Sequence, residues 1–395
     1  LRFDSRSEAE VPEEMLLRLD TLQTARLAVV NVDPLTARMY QLEHLRQCLE
    51  VGEPRRIVRA VAGYAAYVAH AGTVEAGRLL DQARAIAAVH GHHGERYIPV
   101  CAGFAAFNVG AWRTALGHFE SALPRAGSHR TRNAGAAVVY GMCGQWILDC
   151  NFYLGDLQGM RLRRDECLAM LQAEGDRAND GRLSVGMYVF AMLAADDPAG
   201  ATQELTATLG RWPREGFARE RATAFIAARA IDVYSGDGPR AWARCAERWP
   251  SFAASYLYQG QYGRVLGEFW RGAAALQAAL ASVGSVAAQL RSVAESSAAT
   301  ITRQSARWAD PFAYLLRSAA LAQRGDREQA RRALAVATAG FDGAGMRLWA
   351  VAARWQSARL TGDATQCAAQ ERSMRVRGVV APTRMAATLA PGFPR

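Results

Sequence analysis

The sequence predicts an all-α fold, an α-solenoid of antiparallel helix pairs, on three observations. Apolar residues recur at helical spacing on both sides of short Gly-containing turns. Half of the 395 residues are hydrophobic and many of those are Ala, which favours closely packed helices. No stretch alternates polar and apolar residues with period two for long enough to make a strand. A pair of short helices cannot bury its apolar face alone, so the pattern predicts a serial stack.

The stretch 310–340 states the unit most clearly. Asp310 is expected to cap a helix with Pro311 at its first position, because Pro has no N–H to leave unpaired and a φ already helical. Phe312, Leu315, Leu316, Ala319, Ala320 and Ala322 follow on one helix, Gly325-Asp326 makes a tight turn, and Ala330, Ala333, Leu334 and Ala337 share a face of the next. Gly-Asp, then Ala, a large apolar residue and Ala again resembles the second half of a tetratricopeptide (TPR) repeat, so the solenoid is expected to be TPR-like. Small residues at Ala115, Ala122, Ala330 and Ala337 are expected where helices cross most closely. From Tyr97 onward the match is clearest: Gly103 takes a small position, Gly110-Ala111-Trp112 the turn, and Ala115, Phe119 and Ala122 the small-large-small positions.

Taken in order, residues 1–13 are polar and acidic and are expected to form a frayed linker. Met15, Leu16, Leu19, Leu22 and Leu27 mark a first helix, and Asp33-Pro34 and Glu53-Pro54 open the next ones. A turn is expected at Ala71-Gly72, and another at Gly155-Asp156. Arg164 stands where a large apolar residue belongs, so that repeat is expected to be degenerate or to face water there. Asp196-Asp197 can cap a helix from Pro198 that Trp212-Pro213 stops, and Ser235–Gly238 turns into a helix from Pro239 to Trp249. Residues 251–282 read as one long helix or a broken pair, and the last hairpin turns at Thr361-Gly362-Asp363. The domain expectation is a linker over 1–13, a solenoid over 14–377 with several degenerate repeats, and a C-terminal tail over 378–395. At the observed turn spacing the solenoid holds about eight or nine pairs.

Composition removes several chemistries. The chain contains no Lys, so a P-loop, the strand lysine of a protein kinase and a Schiff-base amine are all excluded within it. Phe341-Asp342-Gly343 has the wrong residue order for a kinase metal-binding motif. Seven cysteines without CxxC spacing read as buried free thiols in a reducing, cytoplasmic setting. His90, His92 and His93 bring imidazoles together near one loop, but no carboxylate or thiolate completes a ligand set at familiar spacing, and a polar helix end is expected. The start lacks Met and an apolar signal segment, so the chain is expected to be a piece of something longer; no run reads as a membrane span. No catalytic, cofactor-binding or metal-ligating residue is assigned.

Several segments together resemble the C-terminal region of large eukaryotic-like serine/threonine protein kinases of bacteria. They are AADDPAGATQELTATLGRWPREGF, AIDVYSGDGPRAW with RWPSFAASYL, ARWADPFAYLLRSAALAQRGD, and the ending RGVVAPTRMAATLAPGF. In that family a kinase domain, often followed by an ATPase module, carries a long TPR-like tail. The resemblance implies a sensor or docking arm without kinase chemistry of its own, with ATP and Mg belonging to the upstream kinase domain.

The function expected is therefore a non-catalytic scaffold in signal transduction. Its partner would be a protein or peptide, acidic or phosphorylated, or the parent's own kinase and ATPase domains. With Arg the dominant cation, guanidinium forks would pair carboxylates or phosphates, and Arg113, Arg324 and Arg331 are candidate contributors. The competing class is a basic helical array that binds nucleic acid. A net charge of +10 spread along the chain, without a dense basic cluster, argues against it.

Overall fold

The computed structural model describes residues 2–30, 33–69, 73–91, 97–123, 134–173, 183–211 and 219–394. Among the described residues the regular elements are helices and none is a strand. The chain divides into two compact units, Leu1–Ile147 and Leu148–Arg395. Each is a solenoid-like succession of helix pairs. The expected turn at Ala71-Gly72, the stop at Trp212-Pro213, and His92 and His93 lie outside the described residues.

In the first unit α1 (Glu13–Val29) pairs with α2 (Pro34–Val51), α3 (Pro54–Val68) with α4 (Thr73–Val89), and α5 (Tyr97–Asn108) with α6 (Trp112–Ala122). The first helices of successive pairs touch one another, α1 to α3 and α3 to α5, which is the contact pattern of stacked hairpins. Two of the helix starts follow the sequence directly. Asp33 accepts a hydrogen bond from Thr36 N at 3.1 Å, and Glu53 accepts from Arg55 N and Arg56 N at 3.0 and 2.9 Å. Close approach explains Gly103, since a Cβ there would fall 2.6 Å from Phe119, the large member of the small-large-small set. The segment expected as a frayed linker is held instead. Arg6 N donates to Gly52 O at 2.9 Å, Val11 is buried, Phe3 packs on the unit's core, and Glu8 pairs with Arg56.

The second unit contains α8 (Leu157–Ala173), α9 (Val189–Ala194), α10 (Pro198–Arg211), α11 (Arg219–Tyr234), α12 (Gly238–Ala254), α13 (Tyr256–Gln259) and α14 (Gln261–Leu280). It continues through α15 (Gly284–Thr302), α16 (Asp310–Gln323), α17 (Arg327–Gly343), α18 (Arg347–Thr361), α19 (Ala364–Val376) and α20 (Pro382–Leu389). The division from the first unit falls within α7 (Ala134–Leu154). The turns of the second unit are a repeated device. Gly155, Gly236, Gly325 and Gly362 each adopt φ between +73° and +86°, which costs a Gly little. The Asp after each sends its N–H back to the last helical turn, at 2.9 Å from Asp156 to Asn151 O and 3.1 Å from Asp326 to Leu321 O. Its carboxylate then caps the next helix, on Gly159, Arg240, Gln329 and Gln366 N. One dipeptide thus ends a helix, reverses the chain and starts its partner.

Elsewhere the local expectations need correction. Asp310 is the first residue of α16, and its carboxylate makes no capping bond, because the chain is already turning at Ala309 (φ −92°, ψ −25°). Residues 251–282 are not one long helix but a broken stretch: α12 runs through Pro250 to Ala254, and α13 and α14 follow. Of the Asp pair before α10, Asp197 caps through Gly200 N at 2.7 Å, while Asp196 sits at φ +59°.

The core of the second unit gathers around Trp349 of α18, which is 2% exposed. Its ring lies 4.8 Å from Phe312, 5.4 Å from Phe269, 5.7 Å from Phe341 and 5.8 Å from Phe152, so α7, α14, α16, α17 and α18 share one aromatic centre. The small positions are where the sequence puts them: Ala330 and Ala337 of α17 are fully buried, and Ser318 Oγ of α16 donates to Ala330 O at 2.9 Å. Ala330→Phe is expected to overpack this crossing and cost about 1–3 kcal/mol, read as a lowered melting temperature. An unmoved melt would show that the helices cross elsewhere.

Candidate functional site

In the second unit the stacked hairpins hold an extended segment of their own chain. After Gly378 the backbone runs across the end of α9, where Val380 N donates to Ala194 O at 2.8 Å. Pro382 then starts α20, which packs on α18 and α11 and buries Met385, Ala386 and Leu389. From Ala390 to Phe393 the chain is non-helical and buried. Pro391 and Pro394 have no N–H, so this stretch presents mostly carbonyls, and the surface around it answers with donors. Gln356 Nε2 reaches Ala390 O at 2.7 Å, Gln323 Nε2 reaches Gly392 O at 2.7 Å, and Arg359 Nη2 reaches Pro394 O at 3.1 Å. These are amide and guanidinium groups on α16 and α18, spaced to read a main chain rather than side chains.

The fit is close at Gly392. Its φ is +86°, and a Cβ on it would fall 2.5 Å from Leu276 Cβ, so only Gly lets the segment lie this near α14. At the other end Asp196 joins the two sides. Its carboxylate accepts from Tyr234 OH at 2.6 Å and from Arg384 Nη1 of α20 at 2.7 Å, and the Arg384 guanidinium covers the Tyr234 ring at 4.8 Å. Burial, with the Asp196 carboxylate acting in the same direction, pushes the Tyr234 hydroxyl well above its usual value, so it remains a neutral donor.

Beside the bound segment lies a cavity of about 920 Å³. Tyr234, Leu280 and Trp355 form its apolar walls, Phe393 and Ala387 of the bound segment close another side, and Arg359 faces in. Trp355 is fixed by its indole N–H, which donates to Glu371 Oε1 at 3.1 Å, and the Arg359 guanidinium lies 4.9 Å over its ring.

The candidate arginines from the sequence are not brought into this groove. Arg324 pairs with Glu295 at 2.5 Å and Arg331 with Glu328 at 3.1 Å, while Arg113 is an exposed residue of the first unit. Arg164 does not face water: it lies 4.3 Å over Tyr188 and bonds Ser184 Oγ at 3.0 Å, so a cation takes the place of the missing apolar side chain by stacking. Cys48, Cys101, Cys143, Cys150, Cys167 and Cys245 are buried free thiols, and Cys367 is partly exposed. Among the described residues no three His, Cys, Asp or Glu side chains come together to hold a metal ion, and no helix is long and apolar enough to cross a membrane.

Other buried charges belong to the packing. Glu268 accepts from Tyr258 OH at 2.6 Å and Ser297 Oγ at 2.7 Å, with Arg271 at 3.5 Å, which ties α13, α14 and α15 together. Burial pulls the Arg229 guanidinium of α11 down to about 9, and it stacks on Phe225. In the first unit burial takes His44 down to about 4, next to Arg26, so its imidazole is neutral at pH 7. Sequence reasoning missed Gln323, Gln356, Arg359 and Arg384 as a set. The one signal for them was the ending RGVVAPTRMAATLAPGF, which carries Arg384, Gly392 and Phe393. No family model matches the chain, and no curated protein is similar to it.

Proposed function

We propose that the chain is a non-catalytic protein-interaction and sensor scaffold whose second unit grips an extended segment in the groove now filled by residues 378–394. The single observation behind this reading is the row of side-chain donors on Gln323, Gln356 and Arg359 spent on main-chain carbonyls, a mode that suits any extended segment rich in carbonyls. The resemblance to the tails of bacterial eukaryotic-like serine/threonine kinases supports a regulatory arm in the cytoplasm. There the partner is a protein or peptide, acidic or phosphorylated, or the parent's kinase and ATPase domains. The bound tail then acts as a competitor that a partner must displace.

A fluorescein-labelled peptide of sequence 378–395, added to the full chain, tests the groove. The tethered copy competes at an effective concentration on the order of millimolar, so the unaltered chain should bind the peptide weakly. Gly392→Val loosens the tethered copy by clashing with Leu276, and peptide affinity should rise at least about tenfold. Adding Gln356→Ala to that variant should remove the gain. Equal binding to all of these chains, or no binding to any, would sink the reading.

A further inference from the structure

We infer that the 920 Å³ cavity beside the tail is a binding site for a small amphipathic anion, a carboxylate, sulfonate or phosphate carried on an aromatic-sized apolar body. The inference goes beyond the scaffold reading, since it concerns a small molecule and stands whether or not the groove takes a peptide. Three observations carry it.

The first is size and lining. The volume falls within the ~300–1,000 Å³ of small-molecule sites, and the walls combine Tyr234, Trp355 and Phe393 rings with Leu280 and Pro239. Such walls fit a flat apolar body. The second is charge. Among the described residues no acidic side chain lines the cavity. Arg384 is neutralised by Asp196 at 2.7 Å, whereas the hydrogen bonds of Arg359 go to neutral oxygens, Gln356 Oε1 at 3.2 Å and Pro394 O at 3.1 Å. Among the described residues no carboxylate lies within ion-pair distance of Arg359. A cation facing an apolar cavity with no counter-ion among the described residues favours an anionic occupant and disfavours a cationic one.

The third observation is preorganisation. Trp355 is held through Glu371, the Arg359 guanidinium is held over Trp355, and Gln356 is locked on Ala390 O at 2.7 Å. The recognising groups therefore need little reordering when a ligand enters. Because Ala387, Phe393 and Pro394 form part of the wall, an occupant touches the tail directly, and its binding strengthens or weakens the tail's hold on the groove.

The test uses the full chain and two matched probes: 8-anilinonaphthalene-1-sulfonate, which has the apolar body and the anion, and N-phenyl-1-naphthylamine, which has the body alone. Titrated by fluorescence, the sulfonate should saturate at one site per chain. Arg359→Gln should weaken the sulfonate by about tenfold while leaving the neutral probe within about twofold, as expected for loss of one charge-assisted contact. Ala387→Trp fills the cavity from the tail side without removing a hydrogen bond, and should weaken both probes by at least about tenfold. Melting curves identify any variant whose fold is lost. The inference is overturned if the sulfonate shows no saturable site, if Ala387→Trp leaves both probes unmoved, or if Arg359→Gln weakens the two probes equally.

Discussion

Trp349→Ala is expected to destabilise the second unit by about 3–5 kcal/mol, the upper range for deleting a buried aromatic side chain. Its indole sits among Phe152, Phe269, Phe312 and Phe341 with 2% exposure, on four other helices, α7, α14, α16 and α17. Those rings belong to rigid helices and cannot collapse into the gap, so the lost contacts are not recovered. Trp349→Phe separates size from chemistry. Among the described residues the indole N–H has no hydrogen-bond partner, so replacing it removes an unpaired buried donor while opening a smaller cavity. The two changes oppose one another, and the Phe variant should stay within about 1.5 kcal/mol of the parent chain. Urea unfolding followed by circular dichroism reads both. An Ala variant with an unchanged midpoint would mean that the ring cluster is not the core of this unit.

What the sequence disclosed, and what it hid, follows from the range of the interactions involved. The Gly-Asp turns were legible because every force in them is local. A residue tolerant of positive φ and a carboxylate within reach of an N–H three residues on need no knowledge of the rest of the fold. The same local logic failed at Asp310, where Ala306 and the residues after it already bend the chain into the helix. Arg164 looked like a defect because stacking on Tyr188, in a different helical segment, leaves no trace in spacing. The groove was hidden for the same reason. Gln323 and Gly392 are 69 residues apart in the chain, and a Gln that donates to a carbonyl at that distance looks like any surface Gln. The spread of charge was legible as composition, but which arginine has a counter-ion depends on the tertiary fold alone: among the described residues Arg324 and Arg331 find glutamates nearby and Arg359 finds no carboxylate.

Arg56→Met is expected to cost the first unit about 3–5 kcal/mol, because it strands a buried carboxylate. The Arg56 side chain, 10% exposed, forks Asp20 with Nε at 3.0 Å and Nη2 at 2.6 Å, and its Nη1 meets Glu53 at 3.1 Å and Glu8 at 3.2 Å. Burial works to lower the guanidinium's pKa, but the facing carboxylates, Asp20 first, outweigh it and hold the charge above its ordinary value. Glu53 is the vulnerable member. Its side chain is 3% exposed, and among the described residues its partners besides the Arg56 guanidinium are the N–H groups of Arg55 and Arg56 that it caps. Asp20 and Glu8 are far more exposed than Glu53, at 45% and 59%, and water can take over their solvation. The loss should therefore track Glu53, which a double-mutant cycle exposes: in an Arg56→Met, Glu53→Gln chain the second change should recover about 1–3 kcal/mol of the first. Arg56→Lys should fall between Met and the parent, since an ammonium supplies charge but cannot fork Asp20. Hydrogen exchange along α1 and α3 locates the effect, which should appear as lost protection where α1, α3 and the segment 6–11 meet. If Arg56→Met and its double variant unfold at the same midpoint, the buried carboxylate is not the source of the cost, and the fork on Asp20 carries it instead.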